Sequence, residues 1–135
     1  MRLPDTLDIY DENGKLVWSQ TAYAFLDQDA PDTANPSLWR DTQLNHIYGL
    51  FEVTDGIYQV RGYDMSNVTF IKGDTGWIVV DPLMSVECAQ ALLLVEENLG
   101  TFPVKAVIYS HSHVDHFGGV KGIVSEERYK PVMCR

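Results

Sequence analysis

The feature that most constrains this chain is a run of metal-ligand side chains at residues 111–116, with the sequence HSHVDH. Imidazole and carboxylate groups bind divalent transition metals such as zinc. His111 and His113 are two positions apart, so an extended segment directs both rings to one side. Asp115 and His116 follow directly and are expected to point to a different spot, which favours two adjacent metal positions. The alternative is a histidine-rich polar loop at the surface.

The residues around this motif support the metal interpretation. Residues 104–109 form a β-branched apolar run, VKAVIY, which predicts a buried strand. A strand that enters a polar loop places the predicted ligands at its carboxyl end, where α/β sheets carry their sites. Gly118 and Gly119 are expected to let the backbone turn tightly and approach the metals, before a short helix at 120–124.

Upstream, three pairs of short apolar segments flank turn sequences and predict β-hairpins. One helix is predicted over residues 38–47 with Ser37 as its cap. A second is predicted to begin after Ser85 and to end at Gly100. The hairpins pair residues 7–10 with 15–18, 51–53 with 57–60, and 68–71 with 77–80.

The order of these elements predicts an α+β fold, namely the N-terminal half of an αββα sandwich. Only one sheet's worth of strands is present, followed by a predicted helix at 126–129 and a strand that begins at 131–133. Residues 1–48 are predicted to form an N-terminal extension, and residues 49–135 to form the N-terminal half of the sandwich domain. We therefore interpret the chain as an N-terminal fragment of a longer protein. The alternative is a small independent α+β domain.

Composition excludes some classes of partner. The formal net charge is −9, from 19 acidic and 10 basic residues, which argues against nucleic acid binding. No apolar run approaches the ~20 residues of a membrane span. The first five residues, MRLPD, show no secretory signal, so we expect a cytoplasmic protein if Met1 is the true start, with a periplasmic location as the alternative. Cys88 and Cys134 are expected to be free thiols rather than a disulfide.

The motif resembles the signature of the metallo-β-lactamase superfamily, His-x-His-x-Asp-His, at every position. The segment from residue 35 to residue 64 resembles the alkyl sulfatase branch of that superfamily more specifically. Further likeness to this branch lies in residues 76–83 and 107–120.

This resemblance implies a substrate and a mechanism. The substrate would be a small-molecule primary alkyl sulfate ester, hydrolysed to alcohol and sulfate at a site with two zinc ions. His111 and His113 would ligate the first ion, and Asp115 and His116 the second. Asp115 would also be catalytic, since it would orient the attacking water. A homodimer formed through segments outside this chain is left open.

The resemblance also singles out Asp81, which ends an apolar strand at a position where superfamily members carry an aspartate. We expect it to support the metal loop or a ligand histidine through hydrogen bonds. The alternative is an acidic residue that only precedes the helix after Ser85.

Two other functions stay open at this point. The protein could be another hydrolase of the superfamily that cleaves a thioester, lactam or lactone. Alternatively, the chain could be a catalytically silent fragment, because four protein ligands are too few for two zinc ions. We expect the isolated 135 residues to show negligible turnover.

Overall fold

The structure, a computed structural model, describes residues 7–124 apart from the side chain of Gln90. The helix predicted at 126–129 and the strand predicted at 131–133 lie outside the described residues. Within the described range the architecture is α+β, with a two-stranded and a five-stranded sheet. This agrees with the predicted fold class. None of the helices in this range is long and apolar enough to span a bilayer.

The N-terminal part contains a hairpin, a 3-10 helix and one α-helix. Strands β1 (Asp8–Tyr10) and β2 (Leu16–Ser19) pair antiparallel and confirm the first predicted hairpin. The 3-10 helix spans Thr21–Asp27, and helix α1 spans Pro36–Asn45.

Helix α1 begins and ends two residues earlier than predicted, and Ser37 is not its cap. The side-chain oxygen of Asn35 accepts hydrogen bonds from the backbone N–H groups of Ser37 at 2.9 Å and Leu38 at 3.2 Å. An N-cap needs an extended backbone and a side-chain acceptor, and Asn35 supplies both. Pro36 then suits the first helical position because its φ is already helical.

The main sheet has the sequential strand order β3-β4-β5-β6-β7. The first four strands are antiparallel neighbours, which confirms the second and third predicted hairpins. The fifth pairs parallel to β6 after a helical crossover. The strands are β3 (Gly49–Thr54), β4 (Ile57–Arg61), β5 (Val68–Lys72), β6 (Trp77–Val80) and β7 (Val104–Ile108).

The crossover contains the helix predicted after Ser85. It opens as a 3-10 turn, Val86–Cys88, and continues as α2, Ala89–Leu99. Ser85 occupies the N-cap position, but its side chain makes no capping hydrogen bond. Gly100 ends the helix with φ 89°, a left-handed conformation that favours glycine. A short helix α3, Val120–Ile123, follows the metal motif as predicted.

The core lies between one face of the sheet and helix α2. Alternating strand residues such as Phe70, Trp77 and Val79 are fully buried, and α2 contributes Ala91 and Val95. The Trp77 ring stands edge-on to that of Phe70, with 6.1 Å between the ring centroids. This packing fixes the position of strand β6, whose carboxyl end carries Asp81.

Strand β7 is largely exposed, so the prediction of a buried strand was wrong. Lys105, Ala106 and Ile108 are all exposed. Among the described residues β7 pairs only with β6, so it forms an edge of the sheet. An apolar run indicates a strand that can be buried, whereas burial itself depends on which element covers it.

Candidate metal centre

The metal loop, defined here as residues 109–119, begins where β7 ends. Since β6 and β7 are parallel neighbours, their carboxyl ends meet at one edge of the sheet. The Asp81 N–H donates a hydrogen bond to the Ile108 carbonyl at 3.0 Å. The sheet thereby brings Asp81 to the start of the metal loop.

Three imidazoles cluster in this loop. The ring centroids of His111 and His113 are 4.7 Å apart, as the i, i+2 spacing predicts. The His116 ring is closer still to His111, at 4.0 Å. His116 thus packs beside His111, while its Nε2 faces the Asp115 carboxylate, the residue with which it is predicted to share the second metal position. A 3-10 turn, Val114–His116, reverses the chain and returns His116 to the pair.

His116 lies between two carboxylates. Its Nδ1 is 2.9 Å from Asp81 Oδ2, and its Nε2 is 3.2 Å from Asp115 Oδ2. A neutral imidazole has only one N–H, so it can satisfy only one of these acceptors. The other nitrogen then directs a lone pair at a carboxylate. That arrangement is favourable only if a cation or a proton lies between the two groups.

Asp81 organises the start of the metal loop, as predicted. Its Oδ1 accepts a hydrogen bond from the Ser110 N–H at 2.7 Å, and its Oδ2 accepts one from the Ser110 hydroxyl at 2.6 Å. Burial acts to raise the pKa of the Asp81 carboxyl, but the Ser110 hydrogen bonds and His116 outweigh it. The pKa of Asp81 therefore lies below its ordinary value, and the ionised form is favoured beside His116.

The two glycines of the loop lie at close contacts with the 81–85 turn. A Cβ on Gly118 would collide with the Met84 carbonyl, and one on Gly119 with the carbonyls of Pro82 and Ser85. The glycines therefore let the metal loop pack tightly against the 81–85 turn. A hydrogen bond from the Gly119 N–H to the Leu83 carbonyl, at 2.9 Å, joins the two segments.

Cys88 packs beneath this junction as a free, buried thiol, as predicted for this cysteine. Its Sγ lies 3.3 Å from the Pro82 carbonyl and 3.6 Å from the Gly119 carbonyl. Burial raises the pKa of the Cys88 thiol to about 12. The neutral thiol contributes packing rather than a metal-binding thiolate. Cys134 lies outside the described residues.

A second segment, which the sequence did not predict, also touches the site. Residues 62–67, which we call the bridging loop, connect β4 to β5. Asp64 Oδ2 accepts hydrogen bonds from the N–H groups of Met84 at 3.0 Å and Ser85 at 3.3 Å. The Ser66 hydroxyl donates to the Asp115 carbonyl. These contacts join residues that are 20 to 49 positions apart, so no local sequence pattern predicts them.

The side chains present suit a divalent metal. Among residues 7–124, no group of three or more His, Cys, Asp or Glu side chains is already arranged around one point as a metal site. The donor chemistry nevertheless fits, because imidazoles and a carboxylate are typical zinc ligands. The Asp81 contact to His116 Nδ1 is the carboxylate–histidine pairing that directs the other ring nitrogen toward a metal. The lone pair then faces Asp115, where a cation would relieve the repulsion.

A cavity of about 370 Å³ is lined in part by the bridging loop. Its lining includes Gln20, His46 and Asp64, and none of the four predicted ligands. His46 packs against the Tyr23 and Tyr48 rings, with centroid distances of 5.9 and 6.1 Å. His46 therefore packs against aromatic rings beside this cavity.

Comparison with known proteins identifies relatives. A family model described as the metallo-beta-lactamase superfamily matches residues 61–135. A linear primary-alkylsulfatase from Pseudomonas sp. is 54% identical over 125 residues, which are 90% of this chain and 18% of that protein. An alkyl/aryl-sulfatase from Saccharomyces cerevisiae is 51% identical over 90% of this chain and 19% of its own length.

A solved structure gives the same relationship. A stereoselective inverting sec-alkylsulfatase from Pseudomonas sp. is 50% identical and superimposes with a TM-score of 0.85. The match covers 93% of this chain and 20% of that one. It confirms the predicted α+β class and its metallo-β-lactamase-like arrangement. The chain thus spans about a fifth of the length of the relatives it matches.

Proposed function

The chain belongs to the metallo-beta-lactamase superfamily, and from this premise we propose that the protein is a metal-dependent alkylsulfatase. One observation carries the proposal. The superfamily model matches only residues 61–135, whereas the likeness to alkylsulfatases covers 90–94% of the chain. Much of the first sixty residues is therefore shared with the alkylsulfatases too. This supports a sulfate ester over the thioester, lactam or lactone of other superfamily hydrolases.

We propose His111, His113, Asp115 and His116 as metal ligands, with zinc as the metal and two ions in the complete site. Support comes from the three clustered imidazoles and from the carboxylates on either side of His116. When bound, zinc ions would supply Lewis-acid chemistry that makes water a stronger nucleophile at neutral pH and stabilises charge on the sulfate oxygens.

The chain's own residues have distinct roles in this proposal. Asp81 holds His116 in the tautomer that carries its proton on Nδ1, so that Nε2 is available as a ligand. Asp81 also fixes Ser110, whose hydroxyl lies 2.9 Å from His111 Nδ1. Asp115 is the proposed catalytic residue, because its carboxylate can accept a hydrogen bond from the attacking water and so orient it.

A direct experiment measures sulfate release by the purified full-length protein from decyl sulfate, a medium-chain primary ester. We expect turnover that a chelator abolishes and that added zinc restores. A panel with a thioester, a lactam and a lactone separates the alternatives. His113→Ala should remove activity, whereas Ser112→Ala, a change at the exposed neighbouring residue, should not. Full turnover after complete metal removal would refute the proposal.

A further inference from the structure

We propose that Asp64 and Ser66, in the bridging loop, are positioning residues for the metal centre. They touch neither the substrate nor the metal in this proposal. They act through the backbone of two segments that carry site residues, the 81–85 turn and the metal loop. The inference rests on the proposed metal-dependent function.

Asp64 holds the 81–85 turn. Asp64 is 7% exposed, and its Oδ1 accepts a hydrogen bond from the Met65 N–H at 2.6 Å. Oδ2 accepts the Met84 and Ser85 N–H groups, so one carboxylate joins the bridging loop to the turn. Buried carboxylates with such partners are anchors rather than surface charges.

The 81–85 turn needs such an anchor because its backbone is unusual. Asp81 has φ 55° and Leu83 has φ 64°, both in the left-handed region that non-glycine residues rarely adopt. Such conformations persist only where surrounding contacts hold them. The position of the Asp81 carboxylate, and hence of His116, depends on this turn.

Ser66 holds the metal loop from the same side. It is 8% exposed, and its hydroxyl donates a hydrogen bond to the backbone carbonyl of Asp115. Asp115 is the proposed catalytic ligand. Fixing its carbonyl fixes the 3-10 turn that returns His116 to His111. The bridging loop therefore makes hydrogen bonds to both the 81–85 turn and the metal loop.

The experiment compares Asp64→Asn and Ser66→Ala with the wild-type protein. Asparagine keeps one acceptor oxygen and replaces the other with an NH2 group. That NH2 group would face a backbone N–H of Met65, Met84 or Ser85, so two hydrogen-bond donors would oppose each other. Matched controls are Asp74→Asn and Ser37→Ala, at exposed positions away from the site. The readouts are zinc affinity by competition with a chromophoric chelator, the visible spectrum with Co²⁺ in place of zinc, and the urea midpoint.

We expect each site variant to bind zinc about tenfold more weakly, the effect typical of lost outer contacts to metal ligands. The Co²⁺ spectrum should change as well, since a displaced ligand alters the coordination geometry. Ser66→Thr keeps the hydroxyl and should restore affinity. Both control variants should match the wild type.

The outcomes separate the two proposals. If wild type binds zinc and Ser66→Ala retains its affinity and spectrum, the positioning role is refuted while the proposed function stands. If the wild-type protein binds no metal, both the positioning role and the proposed metal-dependent function are refuted. Should Asp64→Asn fail to fold, Ser66→Ala decides the question, because it removes a single hydrogen bond. Weaker binding in the control variants too would overturn the inference, since the effect would then be nonspecific.

Discussion

Replacing Asp81 by asparagine tests the organisation of the site most sharply. The wild-type carboxylate accepts three hydrogen bonds, two from Ser110 and one from His116 Nδ1. Asparagine retains one acceptor oxygen and presents an NH2 group in place of the other. If the oxygen keeps the Ser110 N–H, the NH2 group faces His116 Nδ1 and conflicts with its proton. His116 would then carry its proton on Nε2 and lose that nitrogen as a ligand.

The magnitude follows from the contact that is lost. Removing the outer carboxylate of a carboxylate–histidine pair typically lowers metal affinity by tenfold to a hundredfold, or about 1.4 to 2.7 kcal/mol of binding free energy. Backbone strain does not contribute, because asparagine tolerates φ 55° about as well as aspartate does. Asp81→Ala lacks that tolerance and should also lower the free energy of unfolding.

The assay combines a zinc competition titration with long-range ¹H–¹⁵N NMR of the histidine rings. We expect Asp81→Asn to weaken zinc binding by the stated factor and, in the neutral His116 ring of the metal-free protein, to move the proton from Nδ1 to Nε2. Asp74→Asn, an exposed aspartate in the turn between β5 and β6, is the matched control. Zinc affinity within twofold of the wild type, together with an unchanged His116 tautomer, would refute the reasoning.

Four further predictions concern the core beneath the site. Burial raises the pKa of the Cys88 thiol from 9.0 to about 12. At pH 8 the thiolate fraction of folded Cys88 should therefore be about a thousandth of that in the unfolded chain. In a Cys134→Ser background, a thiol reagent should react with the folded protein correspondingly more slowly than with the unfolded chain. Because this pKa is raised on folding, the free energy of unfolding should fall as the pH rises above 9.0, which urea titrations at several pH values would detect. Trp77→Ala should lower the free energy of unfolding by about 3–5 kcal/mol, because the indole ring is fully buried. Trp77→Phe should lower it less, because phenylalanine keeps the ring packing and removes an N–H that has no partner among the described residues. Gly119→Ala should lower the urea midpoint, because its methyl group would collide with the Pro82 carbonyl; an unchanged midpoint would contradict this close packing.

Much of the fold was predictable because it depends on local patterns. Three hairpins follow from turn residues between apolar runs, and the crossover helix from its apolar spacing and Gly100. The misplaced cap of α1 had a local signal as well. Asn35 directly before Pro36 is typical of an N-cap followed by the first helical residue.

The site was predictable only in part. The sequence identifies the ligand-type side chains of residues 111–116 and places them after a strand, since both facts lie within one short segment. It could not show that His116 returns to His111, because the 3-10 turn between them depends on contacts with other segments. The sequence also could not show that β7 is exposed, since burial depends on which neighbours cover a strand.

By itself, then, the sequence determined which donor atoms this protein can present and which strand carries them. Only the tertiary structure decided how they are oriented. The Asp81 carboxylate reaches His116 across 35 positions, and the Ser66 hydroxyl reaches the Asp115 carbonyl across 49. Contacts at such separations form because the strand order and the helical crossover bring strand ends and loops together. The spacing of side chains along the chain does not predict these contacts.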